Sequence, residues 1–161
     1  MGLLRNLFVI AIMTCGGASA QGLVTQRTMS LGMAMTIAEA TLNACKSGGF
    51  HTSAVVVDRG GQVLVILRDE MATPQTAEMA RRKAYTAVMF RSTTLEFQKR
   101  TAEDPTLAPQ RQVADILALG GGVPIRVDKE IVGGVASSGS SQEMDDSCAK
   151  AGVAKVADLL K

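Results

Sequence analysis

The sequence has no tryptophan, one tyrosine (Tyr85) and one histidine (His51), and aromatics make up only 3 % of it. Proteins that hold single-stranded nucleic acid stack its bases on aromatic side chains along a basic groove, and here there is almost nothing to stack on. An excess of charge is missing as well: 17 Lys plus Arg stand against 15 Asp plus Glu. Without a basic stripe, nucleic acid is not an expected partner. A single histidine rules out a metal site built on several imidazoles and gives a Ser-His-Asp triad little support. His51 follows Gly48-Gly49-Phe50, so it reads as an exposed loop residue, with axial haem ligation as the other option. No metal site is assigned.

Other familiar patterns are also missing. The clusters Gly120-Gly121-Gly122 and Gly133-Gly134 lack the GxGxxG spacing of a dinucleotide loop. Turns, or close approach of another backbone, explain them better. Asp69-Glu70 and Asp145-Asp146 are acidic neighbours, and adjacent side chains do not converge as paired catalytic carboxylates must. Long apolar runs are absent too. The longest, Leu7 to Met13, is too short to span a bilayer.

That run is nonetheless informative. It lies between Arg5 and the small residues Ala18-Ser19-Ala20, which is the three-part pattern of a secretory signal peptide cut before Gln21. Ile12-Met13-Thr14 does not have the residues that precede a lipidated cysteine, so Cys15 is not read as an anchor. Residues 1–20 are therefore a leader, residues 21–161 form one domain, and the expected location is periplasmic or secreted. No membrane span is expected in the mature chain. Two cysteines remain, Cys45 and Cys148. In an oxidising compartment an isolated pair is most simply a disulfide, with two buried thiols as the alternative.

Ser30 precedes an apolar pattern of helical period that Gly48-Gly49 ends, giving a first helix with Cys45 in its last turn. SAVVVD (53–58) and QVLVILR (62–68) are strands joined by Arg59-Gly60-Gly61, apolar on both faces and so expected to be covered on both. Thr73 as N-cap and Pro74 at the first turn open a second helix to about Phe90. Thr93 with Glu96 is a capping box for a third, to about Glu103. A loop follows from Asp104 to Gln112. VADILALGGG then reads as a strand, and VPIRV and EIVGGVASSG read as a hairpin turning at Asp128-Lys129. Ser140 with Glu143 reads as a capping box for the last helix, which carries Cys148 in its early turns. Helices on both faces of a mostly antiparallel sheet are the natural packing. If the first and last helices lie antiparallel, Cys45 meets Cys148.

In the second helix, EMARRKAYTAVMF (78–90) places three cations inside an apolar pattern. Ala77, Ala80, Ala84, Ala87 and Val88 form a small-residue stripe for close packing on the sheet. Met79, Lys83, Thr86 and Phe90 form the neighbouring stripe, while Arg81 and Arg82 diverge from it. Lys83 either lays its stem on apolar surface with its head in water, or stands with Thr86 at the rim of a pocket for a ligand carrying an acid group. The run SSGSS (137–141) offers hydroxyls and amides to an anion, or serves as a capping loop.

VVVDRGGQVLVILRDEMA, ARRKAYTA, GGGVPI and IVGGVASSGS followed by DDSCAKAG, in that order and across nearly all of the mature chain, resemble the GlcG/HbpS family. This is the haem-degrading domain family, related to the C-terminal domain of PduO-type proteins. The resemblance implies an α/β fold, profilin-like and three-layered (α/β/α), with a five-stranded antiparallel sheet, and a tendency to homo-oligomers. It implies haem as ligand, in haem handling or redox sensing, with a corrinoid as the lesser alternative. Residue by residue, it carries ligand-binding roles to Arg68, Asp69, Lys83 and Thr86, bordered by Met79 and Phe90, and a turn to Gly121, Gly122 and Pro124. The chain departs from the family in GVASSGS, where GVSGA is usual and Ala136 replaces a common serine. The expected function is a small-molecule binding protein. The alternatives are an enzyme degrading haem or acting on a small carboxylic acid, and a structural or regulatory oligomer subunit; no catalytic residue is assigned.

Overall fold

The computed structural model describes Gly22 and residues 24–161, so the leader assigned to residues 1–20 lies outside the described residues. Four helices and four strands follow in the order α1 (Leu31–Ser47), β1 (Ser53–Asp58), β2 (Val63–Arg68), α2 (Gln75–Phe90), α3 (Thr94–Glu103), β3 (Gly122–Val127), β4 (Glu130–Ser138) and α4 (Gln142–Ala154). The sheet runs β2-β1-β4-β3 and every pairing is antiparallel.

Local chemistry accounts for most boundaries. The Ser30 hydroxyl accepts the Met33 amide and opens α1, and Thr93 with Glu96 forms the full reciprocal box on α3. Asp58 Oδ1 accepts the amides of Gly60 and Gln62 and closes the first hairpin. Gly61 there has φ +79°, a conformation that favours glycine. Two expected caps move. Helix α2 starts one residue later, with Pro74 in the cap position and no side-chain cap. Ser141, not Ser140, caps α4 by accepting the Met144 amide, because the Ser140 hydroxyl is committed to Asp145 at 2.7 Å.

The sheet has four strands, not five. VADILALGGG does not become a strand because α2 takes its hydrogen bonds. The Ile116 carbonyl accepts from Arg82 at 2.7 Å and the Leu117 amide donates to the Thr86 hydroxyl at 2.9 Å. Asp115, at φ +65°, breaks the extension as well.

Helices cover both sheet faces. Val56, Val65, Ile125 and Val135 pack with Ile37, Ala38 and Ala149 on the α1/α4 side, while Val55, Val57 and Ala136 pack with Ala80, Ala84 and Val88 of α2. The small-residue stripe thus lies against the sheet, and glycines let it come close. A Cβ on Gly122 would collide with the Lys83 carbonyl, and one on Gly134 would sit 2.9 Å from the Ala84 carbonyl. Cover is incomplete at β2, whose Val63 and Ile66 are 41 % and 49 % exposed. It is an edge strand, so the expectation of burial on both faces holds only for β1. Cys45 and Cys148 are joined, with their Cα atoms 5.5 Å apart, and the bond ties the last turn of α1 to α4. Among the described residues, no helix is long and apolar enough to cross a membrane.

Candidate functional site

One end of the sheet gathers many of the buried polar side chains, among them Ser53, Asp69, Thr76, Lys83, Ser138 and Asp145. The register aligns Arg68 with Ser53 and Ser53 with Ser138. The end of α1 and the starts of α2 and α4 are brought to that end by Asp69, Thr76 and Ser137: Lys46 pairs with Asp69, Thr76 accepts or donates to Ser53 at 2.7 Å, and Asp145 reaches Ser137. Two charged clusters result.

The first is built on Asp69, only 3 % exposed. Its Oδ1 accepts the Met71 amide at 2.9 Å and meets His51 Nδ1 at 2.9 Å, and its Oδ2 lies 3.2 Å from Lys46 Nζ. The backbone hydrogen bond from Met71, followed by those from His51 and Lys46, holds the carboxyl down at about 2 against the opposing effect of burial. An ionised carboxylate has no proton to give, so His51 Nδ1 is the donor and the tautomer is set. The imidazole is half exposed, with Nε2 on the edge away from Asp69. Arg68 donates to the carbonyls of Ala72 and Asp69, closing the turn that carries Asp69 into α2.

Since the folded state depresses the Asp69 pKa, its contribution to stability is complete above the unfolded value near 3.9 and disappears as pH falls through about 2. Denaturation midpoints of the protein and of Asp69→Asn should differ by a constant amount above about pH 5 and converge toward pH 2. A difference that does not change with pH in that window would rule out the ionised arrangement.

The second cluster is Lys83 with Asp145. Lys83 is 2 % and Asp145 1 % exposed. Lys83 Nζ donates to Asp145 Oδ2 at 2.9 Å and to the Ser137 carbonyl at 3.2 Å. Burial pushes the ammonium below its ordinary pKa, and Asp145 opposes that. The Lys83 head therefore does not reach water, which corrects the reading in which only its stem was covered. Asp145 Oδ1 also accepts from the Ser137 hydroxyl and from the amide and hydroxyl of Ser140. Within SSGSS, Ser137 and Ser140 thus spend their donors on an anion of the chain's own, one that sequence reasoning passed over. Asp145 and Asp146 do diverge as expected: Asp146 pairs with Lys150 at 2.6 Å. A cavity of about 180 Å³ lies beside the pair, bordered by Thr76, Met79, Leu119, Ser138 and Gln142.

The remaining predicted residues are placed elsewhere. The Thr86 hydroxyl donates to the Arg82 carbonyl and accepts the Leu117 amide, which fixes the loop before β3. Phe90 stacks on Phe97 with ring centroids 4.3 Å apart, and the Arg100 guanidinium lies 5.7 Å from the Phe90 ring. Gly121 has φ +121°, and a Cβ there would sit 2.7 Å from Asp145 Cβ and 3.1 Å from Lys83 Nζ. The Gly122 amide donates to Thr94. Pro124, opposite Gly134 on edge strand β3, stands where a missing amide is tolerated. The structure thus brings Lys83 and Met79 to one cavity and Arg68 and Asp69 to the adjoining turn, and leaves Thr86 and Phe90 away from both. The link between His51 and Asp69 had no sequence signal, since it depends on where β2 ends relative to β1. Among the described residues, no group of three or more His, Cys, Asp or Glu is positioned to hold a metal ion.

A sequence profile described as "Haem degrading protein HbpS-like" matches residues 29–154. Protein GlcG of Escherichia coli K12 is 30% identical over 114 residues, spanning 71% of this chain and 84% of its own. A double mutant of HbpS from Streptomyces reticuli is 35% identical and superimposes with a TM-score of 0.78, over 86% of this chain and 95% of that one. PduOC, in a structure of its complex with haem, is 24% identical with a TM-score of 0.72, over 80% of this chain and 95% of that one, and shares the fold.

Proposed function

The chain belongs to the HbpS-like family of haem-degrading proteins, and from that premise we propose that it binds haem, or a related tetrapyrrole, outside the cytoplasmic membrane. The single observation that carries the proposal is the pairing of its one histidine with a buried carboxylate. Histidines that ligate metals commonly donate their second ring nitrogen to a carboxylate, which fixes tautomer and orientation. His51 donates Nδ1–H to Asp69, leaving Nε2 as the nitrogen that would hold the haem iron. Lys46, 55 % exposed at its side chain, and Arg68 supply cations for acidic side arms. Met71, 68 % exposed, offers apolar contact. The residues present therefore fit the group. Bound there, haem would supply redox and oxygen chemistry, while this chain's part is to ligate and orient it.

A haem held at a surface histidine has a second face to cover. Exposed Ile66 and Val63, both on edge strand β2 that leads into that turn, suit contact with a second copy, which supports a homo-oligomer. The expected leader and the disulfide both favour a periplasmic or secreted location. Of the residues matched by resemblance, Arg68 and Asp69 enter this site directly. Lys83 and Met79 line the neighbouring cavity.

Hemin titrated into the protein should give a saturable Soret shift that is lost in His51→Ala and weakened about 10–100-fold in Asp69→Asn. No saturable shift in the wild type would overturn haem binding. An unchanged shift in His51→Ala would overturn the ligand assignment. Loss of haem absorbance with a reductant, with peroxide scavenged, would mark degradation rather than carriage.

A further inference from the structure

The cavity beside Lys83 and Asp145 is a separate matter from the haem surface, because it opens between α2, the end of β4 and the start of α4 and does not include His51. At about 180 Å³ it holds roughly six waters' worth of space, far too little for a macrocycle. Its lining is mixed. Met79 and Leu119 give apolar walls, and Thr76, Ser138, Ser140 and Gln142 give hydroxyls and an amide.

Three features make it a built site. Lys83 is 2 % exposed and commits two of its three N–H donors, to Asp145 and to the Ser137 carbonyl, leaving one. Ser138 is 1 % exposed and borders the same cavity; its place opposite Ser53, which bonds Thr76, sets it on the α2 face. Gln142 uses its oxygen on the Gly120 amide, and its amide hydrogens are left to donate. All three offer donors to one small volume.

Charge then selects the ligand. Asp145 already neutralises Lys83, so an added anion would meet a carboxylate and an added cation an ammonium, and neither finds a free counter-ion among the lining residues. We infer that this cavity binds a short, uncharged, oxygen-rich molecule of about three to four carbons, a polyol or hydroxy-ketone, whose oxygens accept from Lys83, Ser138 and Gln142 while its carbons lie on Met79 and Leu119.

The test is a titration of the ¹⁵N-labelled protein, followed by amide NMR shifts, with glycerol, dihydroxyacetone and, as the anionic comparator, glycolate. Glycerol or dihydroxyacetone should give saturable shifts confined to the amides around Leu119 and Gly139 to Gln142, and bind more tightly than glycolate. Ser138→Ala should weaken binding about threefold to tenfold, as loss of one hydrogen bond does. Shifts that never saturate, that scatter over the surface, or that favour glycolate would overturn the proposal, and the wild-type titrations decide this even if the variant folds poorly. Hemin binding is read independently through the Soret band, so failure of one reading leaves the other standing.

Discussion

Replacing Lys83 with methionine is expected to lower stability by about 3 kcal/mol, and replacing Asp145 with alanine by about 5 kcal/mol, the two ends of the range for breaking a buried ion pair. The asymmetry follows from the partners each ion keeps. Without Lys83, Asp145 retains the hydroxyl of Ser137 and the hydroxyl and amide of Ser140, so its charge stays partly compensated. Without Asp145, Lys83 keeps only the Ser137 carbonyl, and Ser137 and Ser140 lose their acceptor as well. Burial would then drive the ammonium toward its neutral form. For a domain of this size, each kcal/mol moves the melting temperature by about 2–4 °C, so calorimetry should rank wild type above Lys83→Met and Lys83→Met above Asp145→Ala. A loss below about 1 kcal/mol in both variants would mean that the pair exchanges with water in solution.

Removing the disulfide should have an effect of similar size. Cys45 and Cys148 are 103 residues apart in sequence, and the chain-entropy account gives about 4–5 kcal/mol for closing so long a loop, as an upper value. The native helices should lose little packing. Thr41 and Ile37 of α1 lie so close to Gly152 of α4 that a Cβ there would sit 2.8 Å from the Ile37 carbonyl, and that contact survives reduction. Urea unfolding of the oxidised protein, the reduced protein and Cys45→Ala/Cys148→Ala should show the oxidised form well above the other two, with those two close together. Coincident midpoints for oxidised and reduced protein would show that the bond does not close that loop in solution.

Legibility in the sequence followed distance along the chain. Caps act within three residues, so Ser30 and the Thr93–Glu96 box could be read directly. Helical period placed Ala80, Ala84 and Val88 on one stripe, and that stripe does meet Val55 and Val57. The glycine clusters were readable as places of close approach, and Gly122 and Gly134 serve that purpose under α2. The failures were of another kind. A run such as VADILALGGG has the composition of a strand, but it becomes one only if a sheet edge is there to pair with it, and Arg82 and Thr86 took its hydrogen bonds first. Ser140 fits a capping pattern as well as Ser141 does, and a carboxylate five residues on chose between them.

The sequence by itself determined the helices, the first hairpin and the small-residue face of α2, because each depends on neighbours a few residues away or on a repeat within one element. Only the tertiary structure decided what the charges do. Lys83 and Asp145 are 62 residues apart, and His51 and Asp69 are 18 apart across a hairpin. Whether an ion faces water, a ligand or a partner depends on where distant elements land once the sheet has formed, and a helical stripe carries no information about that. EMARRKAYTAVMF places a lysine in an apolar helix, and the fold supplies the carboxylate that lets it stay there.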